Sequence, residues 1–305
     1  MLKKALGASK GGKKTVSKIA QYAVVEQLSV NGYSISMLCE IAHVSRSGFY
    51  KWQRRRGTPS SKQLEDQFLK EKILEGHQRL RGILGYPRMQ IWVKKTYGIH
   101  ANHKRIYRLM KQMGIQAQIR KKKRFYGKKE VCVVSDNVLN REFHATCPNE
   151  KWVTDITYIP YKQKNLYLSA ICDLFNNEII AFHLSARNDL QLVIDTLEKA
   201  RNVRETKGVL LHSDQGYQYT SRHFSKLLKH YKMKASMSRK GNCLDNACIE
   251  SFFGHFKSEC LYIQSFESEE ALKTAIDEYI RFYNYERFQA KLNNLSPVEY
   301  RTKVA

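Results

Sequence analysis

Apolar spacing divides this chain near residue 150. Before that point the period is helical. Residues 19–30 (IAQYAVVEQLSV) predict a helix. In ISMLCEIAHVSRSGFYKWQRRRG, Met37, Leu38 and Ile41 make an apolar face, His43-Val44-Ser45 a tight turn, and Arg46 to Arg56 a second helix. That second helix turns Phe49 and Trp52 inward and Arg46, Ser47, Tyr50, Lys51 and Arg54 outward. This is the pattern of a helix-turn-helix whose second helix enters the major groove. Residues 58–61 (TPSS) read as a linker and 62–80 as a further helix. A second helical unit follows, in which Gly98 ends one helix and Asn102 caps the next. The capped helix sets His103, Lys104, Arg105 and Arg108 against inward Ile106, Leu109 and Met110.

From residue 150 the period shortens to two. KWVTDITYIP (151–160), LYLSAICDL (166–174) and EIIAFHLS (178–185) predict three strands with short turns, an antiparallel meander. Residues 189–205 predict a helix, 208–214 a short buried strand, 222–231 a helix, 233–238 a strand, and 245–260 and 268–284 two helices. The order β-β-β-α-β-α-β-α makes an α/β class, a mixed sheet covered by helices and preceded by small all-α modules. The chain thus divides into a structureless basic tail (1–18), a helix-turn-helix module (19–57), a second helical module (62–119), a basic linker (120–149), a core (150–260) and a helical extension (261–305).

Charge sharpens this division. The net charge is +25 over 305 residues. Residues 1–130 hold 30 Lys and Arg against 7 Asp and Glu, a net +23, and the remainder is nearly balanced at +2. A solvated surface mixes the two signs, so this asymmetry points to a nucleic-acid-binding half and a near-neutral globular half. Lys121, Lys122, Lys123 and Arg124 lie in a run (RKKKRFYGKK) suited to phosphate contact. No apolar run reaches the length of a membrane span, and the basic N-terminus has no apolar stretch with a cleavage site, so the expected location is the cytoplasm, at the nucleoid when bound to DNA. Seven scattered cysteines form no CxxC pair and no zinc spacing.

The candidate chemistry lies in three carboxylates. Asp155 falls inside the first strand, where carboxylates are unusual. Asp214 ends the fourth, where ligand groups gather in open α/β sheets. Glu250 follows with 35 residues between. At 100° per residue, Phe252, Phe253, Phe256 and Cys260 fall within about 60° of Ile249, while Glu250 and Lys257 share one flank about 80–100° away. Asp245 and Asn246 are expected to cap that helix. If the first and fourth strands are neighbours, Asp155 and Asp214 meet at the sheet centre and Glu250 leans over them. Three such carboxylates repel one another unless a divalent cation neutralises them, and oxygen donors suit Mg²⁺ or Mn²⁺. Two such ions stabilise the attacking and leaving oxygens of an in-line phosphoryl displacement.

Asp155, Asp214, Glu250 and Lys257, with their surroundings WVTDITYI, LHSDQGYQY, NACIESFFGHFKSE and YNYERFQAKLNNLSPVEY, resemble the Asp-Asp-Glu transposases of bacterial insertion sequences, in the group most similar to retroviral integrases. The resemblance covers about residues 30–303. It implies a ribonuclease-H-like catalytic core that cuts the 3′ ends of its element and joins them to target DNA. It implies that the basic modules bind the terminal inverted repeats, that Lys257 contacts a phosphate near the reacting end, and that Asn246 or Gln215 lines the site. Members are often made as a second reading frame fused to an upstream helix-turn-helix protein, and coupled cleavage at two ends implies a homo-multimer. The zinc-binding amino-terminal domain of retroviral integrases has no counterpart here. The competing readings are a nuclease that hydrolyses without joining and a catalytically silent DNA-binding regulator.

Overall fold

The computed structural model describes residues 17–55, 57, 59–118, 135–239 and 242–304. The expected structureless tail, apart from its last two residues, and the run holding Lys121, Lys122, Lys123 and Arg124 lie outside the described residues. The chain forms two compact units, Met1–Gln116 and Ala117–Ala305.

The first unit holds α1 (Lys18–Val30), α2 (Ile35–Ile41), α3 (Arg46–Arg55), α4 (Ser61–Arg79), α5 (Tyr86–Tyr97) and α6 (His103–Gln112). Side-chain caps start four of them: Ser17 on α1, Ser45 on α3, Ser60 with Gln63 as a reciprocal capping box on α4, and Asn102 on α6. Gly98 ends α5 in the left-handed conformation that costs glycine least. Val25, Leu38, Cys39, Ala42 and Phe49 make a small core joining α1 to α3, with Trp52 packed at its edge. The expected apolar face of α2 is corrected here. Leu38 is buried, but Met37 and Ile41 are exposed. Cys39 and Ala42 fill the interior instead, because small side chains let this seven-residue helix approach Phe49 closely. Ile106, Leu109 and Met110 of α6 are buried as their spacing predicts.

The second unit is built on a five-stranded mixed sheet. Its strands are β1 (Lys151–Tyr161), β2 (Lys164–Asp173), β3 (Ile179–Ser185), β4 (Leu210–Ser213) and β5 (Lys234–Met237), in the order β3-β2-β1-β4-β5. The first three form the antiparallel meander, and β4 pairs parallel to both β1 and β5. The first and fourth strands are therefore neighbours.

Alternation along β1 feeds two apolar layers. Trp152 faces α7 (Leu190–Val203) and α8 (Arg222–His230), beside Val193, Leu197, Phe224 and Leu228. Val153, Ile159 and Tyr161 face the other way, toward α9 (Ala247–Phe256) and α10 (Glu269–Tyr285), beside Phe252, Phe256, Ile276 and Tyr283. Helices on both faces complete a three-layer α/β fold. By the same alternation Asp155 falls on the α9 face.

The helix expected at 245–260 is three segments. A 3₁₀ turn (Cys243–Asn246) leads into α9, and a π-helical turn (Lys257–Leu261) follows it. The expected caps are absent. Asn246 makes no capping hydrogen bond, and the Asp245 carboxylate is taken by two arginines instead. In the wider last turn Glu259 accepts both forks of Arg287, at 2.8 Å each, and the Tyr279 hydroxyl. A final helix, α11 (Pro297–Val304), is not signalled by periodicity. It begins with a reciprocal Ser296–Glu299 cap, and Arg301 reaches back 2.8 Å to Glu178, which follows β2. The extension after residue 261 therefore covers the sheet.

Candidate active site

Asp155 sits mid-strand in β1, opposite Ala170 of β2. Asp214 lies just past the end of β4, whose pairing with β1 runs through Val153 and His212. Continuing that parallel register brings the two carboxylates side by side. Both are half-buried and both line one cleft of about 310 Å³. Among the described residues neither makes an ion pair. The Asp155 carboxylate accepts from the backbone N–H of Ile156 at 2.8 Å, and that of Asp214 from Gly216 at 2.9 Å. Gly216 is a position for glycine by contact: a Cβ there would meet the Asp214 carboxylate at 3.0 Å.

Burial pushes Asp155 up to about 8, aided by the Asp214 charge and, more weakly, by Glu250; the Ile156 N–H and Lys257 oppose it. Burial also raises Asp214, against the Gly216 N–H. Glu250 is exposed in the first turn of α9. Its charge and that of Lys257 are thus felt at Asp155, from seven positions apart on one helical flank. Lys257 holds its ammonium 4.6 Å from the centre of the Tyr158 ring, and Tyr158 borders the same cleft.

The donors present are hard oxygens with too little cationic charge around them, which suits a divalent ion of the magnesium type. Among the described residues, no three His, Cys, Asp or Glu side chains already stand close enough to hold a metal ion. The arrangement is a pair of carboxylates with a third near enough to act on one of them.

Several cleft residues carry no signal in a search for carboxylates. Tyr219 is buried, its hydroxyl 3.3 Å from that of Thr154, and burial with the charges of Asp155 and Asp214 holds its pKa high. Tyr158, Tyr167, Asn188, Tyr217 and Gln218 complete the wall. Of the two polar residues implied as lining, Asn246 donates to the Thr154 carbonyl at 3.4 Å, one residue from Asp155. Gln215 turns away, donating to Ser238 at 2.9 Å.

The expected DNA-facing residues fall into two sets. Arg46, Tyr50, Lys51 and Arg54 all stand exposed on α3, and Lys104 is exposed on α6. Arg105 and Arg108 also lie on α6, but each donates to the Asp66 carboxylate of α4 at 2.7 Å, and Arg105 reaches Glu65 as well.

Comparison with known proteins places the chain among relatives. Residues 145–243 and 250–304 each match an Integrase core domain family, and residues 63–123 an HTH-like domain. The chain is 41 % identical over 274 residues to the putative transposase InsK of insertion sequence IS150 from Escherichia coli, covering 89 % of this chain and 94 % of that protein. It is 33 % identical over 290 residues to the transposase InsF of IS3A from the same organism, covering 93 % and 99 %. The HTLV-2 integrase catalytic core domain, solved in complex with magnesium, is 16 % identical with a TM-score of 0.39, covering 51 % of this chain and 98 % of that one. On this extent of sequence identity, with integrase-core matches on both sides of the gap between residues 243 and 250, the chain belongs to the transposases of bacterial insertion sequences, in their integrase-like group.

Proposed function

We propose that this transposase cuts the 3′ ends of its element and joins them to target DNA at a site formed by Asp155, Asp214 and Glu250. The observation that carries the reading is that Asp155 and Asp214, on adjacent parallel strands, line one cleft, with the charges of Glu250 and Lys257 felt at Asp155. The three carboxylates would hold Mg²⁺ or Mn²⁺, two ions per site, and the bound metal would stabilise the charge on the attacking and leaving oxygens. Asp155 and Asp214, fixed on adjacent strands, set where the reacting phosphate lies, and Glu250 approaches from α9. Lys257 offers its ammonium to a phosphate beside the reacting end. In joining, the 3′-oxygen of the element end bonds to a target phosphorus while the bond from that phosphorus to the target 3′-oxygen breaks. The attacking hydroxyl gives its proton to solvent and the departing oxygen takes one up. No side chain bonds to phosphorus, so the protein contributes position and charge.

Arg46, Tyr50, Lys51, Arg54 and Lys104, with Lys121, Lys122, Lys123 and Arg124, contact the terminal repeats in this reading. Arg105 and Arg108 join them only by exchanging Asp66 for phosphate. Joining two ends together requires more than one copy, and an upstream helix-turn-helix reading frame fused to this chain would complete end recognition. Among the described residues no helix is long and apolar enough to cross a membrane, in keeping with action on DNA in the cytoplasm.

The test is a strand-joining assay with purified protein, a labelled duplex carrying the element's ends, a target plasmid and Mg²⁺ or Mn²⁺. Glu250→Gln keeps the side chain's size and removes its charge. Joined product should fall by at least about 10³-fold while end binding stays within about twofold. Equal loss of both would remove Glu250 from metal binding. Cutting without joining would favour a nuclease, and binding with neither a regulator.

A further inference from the structure

The Asp245 carboxylate is fully buried, yet five donors converge on it. Arg239 gives its backbone N–H at 3.0 Å, Nε at 2.9 Å and a terminal nitrogen at 2.8 Å. Arg141 gives Nε at 2.7 Å and Asn137 its amide at 2.9 Å. These interactions, Arg239's first, hold the Asp245 carboxyl well below the usual carboxylate range. Charge-assisted bonds in this number fix geometry more tightly than a surface ion pair does. The connector that supplies Asn137 and Arg141 is itself strained. Asn140 and Arg141 both adopt positive φ, at 44° and 64°, a conformation most side chains avoid. Asn137 accepts from the Asn140 N–H, and Arg141 also reaches Asn242, so the same network holds that backbone in place.

The location of this clamp gives it a consequence. Asp245 lies in the 3₁₀ turn that enters α9, five residues before Glu250. Its neighbour Asn246 donates to the Thr154 carbonyl, beside Asp155. His212, two residues before Asp214, hydrogen-bonds Ser236 of β5 at 2.9 Å, and the Ser236 hydroxyl accepts from the Leu139 N–H of the connector at 3.0 Å. Turn and connector together thus reach the strand of each aspartate, that of Asp214 through Ser236, and the helix of the glutamate.

We propose that Asp245 is a positioning residue: clamped by Arg141 and Arg239, it sets the entry of α9 and hence the reach of Glu250 toward Asp155 and Asp214. This inference rests on the reading of Glu250 as a metal ligand, and it adds the connector at 137–141 to the parts that govern the site. Glu250 stands in the first turn of α9, so the turn that leads into the helix sets where its backbone lies. A shift of about 1 Å in a ligand's position is enough to cost two orders of magnitude in rate.

The experiment compares Asp245→Ala, Arg141→Ala, Arg239→Ala and Glu250→Gln in the full chain. It reads Mn²⁺ binding by electron paramagnetic resonance without DNA, amide hydrogen exchange by segment, and strand joining. Asp245→Ala should weaken Mn²⁺ binding by about tenfold or more. It should speed exchange in 242–253 while leaving β1 and β4 protected, and should lower joining with end binding intact. Each arginine variant should give part of the same effect, and these decide the matter if Asp245→Ala does not fold. Unchanged Mn²⁺ binding in all the clamp variants, alongside its loss in Glu250→Gln, would overturn the positioning role alone. Unchanged Mn²⁺ binding in Glu250→Gln would overturn the metal-ligand reading beneath it.

Discussion

At the scale of one residue, His212 shows what burial does to a proton. His212 is buried in β4 with Nδ1 on the Ser236 hydroxyl, and burial pushes its pKa down to about 4. The unfolded chain, with the histidine near its ordinary ~6.5, binds more protons between those two values. The histidine's contribution to stability is therefore complete above about pH 6.5, declines as pH falls toward about 4, and is worth up to about 3 kcal/mol. His212→Asn keeps a polar group near Ser236 and removes the titration. Its denaturant midpoint should lose less than wild type does between pH 7 and pH 4.5. Parallel pH profiles would show that His212 is not held neutral. The carboxylates of the candidate site are legible in the sequence by their context: Asp155 interrupts a β-branched run, and Asp214 closes an apolar one. Asp245 is not legible in the same way. Its partners lie 6, 104 and 108 positions away, and an acidic residue at a helix entry reads as a cap until those partners are placed in space.

At the scale of elements, strands and long helices follow their periodicity, and the departures occur where tertiary contacts replace local signals. Alternation in 151–160 predicts β1 to within a residue. The helix expected across 245–260 breaks at both ends, because arginines hold Asp245 at one and Glu259 at the other. Met37 and Ile41 miss the core because α2 is too short for its period to choose between adjacent faces. The helix α11 has a readable start in SPVE, a capping box with proline in the first turn, although its own spacing is not amphipathic. The Glu259–Arg287 pair is almost fully buried on both sides. Removing one partner leaves a buried charge without its counter-ion, which typically costs about 3–5 kcal/mol. Arg287→Ala should therefore lower stability by that order and loosen the π-helical turn that carries Lys257. Chemical denaturation with hydrogen exchange across 257–261 checks this. A variant as stable as wild type, with that turn unchanged, would show that the pair does not anchor it.

Over the whole molecule, a strongly basic stretch (residues 1–130, net +23) precedes a nearly balanced remainder (net +2) that holds the sheet. The positive charge that attracts DNA is concentrated before residue 130, whereas the site gathers negative charge at the centre of a sheet. Such carboxylates exclude phosphate unless a cation joins them, so the proposed DNA chemistry depends on metal held by Asp155 and its neighbours. The most direct measurement is a metal-switch assay of strand joining with Asp155→Cys. A thiolate is a poor ligand for Mg²⁺ and accepts softer Mn²⁺ more readily. Joining by the variant should be lost in Mg²⁺ and partly restored in Mn²⁺, with DNA binding unchanged. Wild-type joining by the variant in Mg²⁺ would contradict the account, because the reaction would then not need an oxygen ligand at position 155.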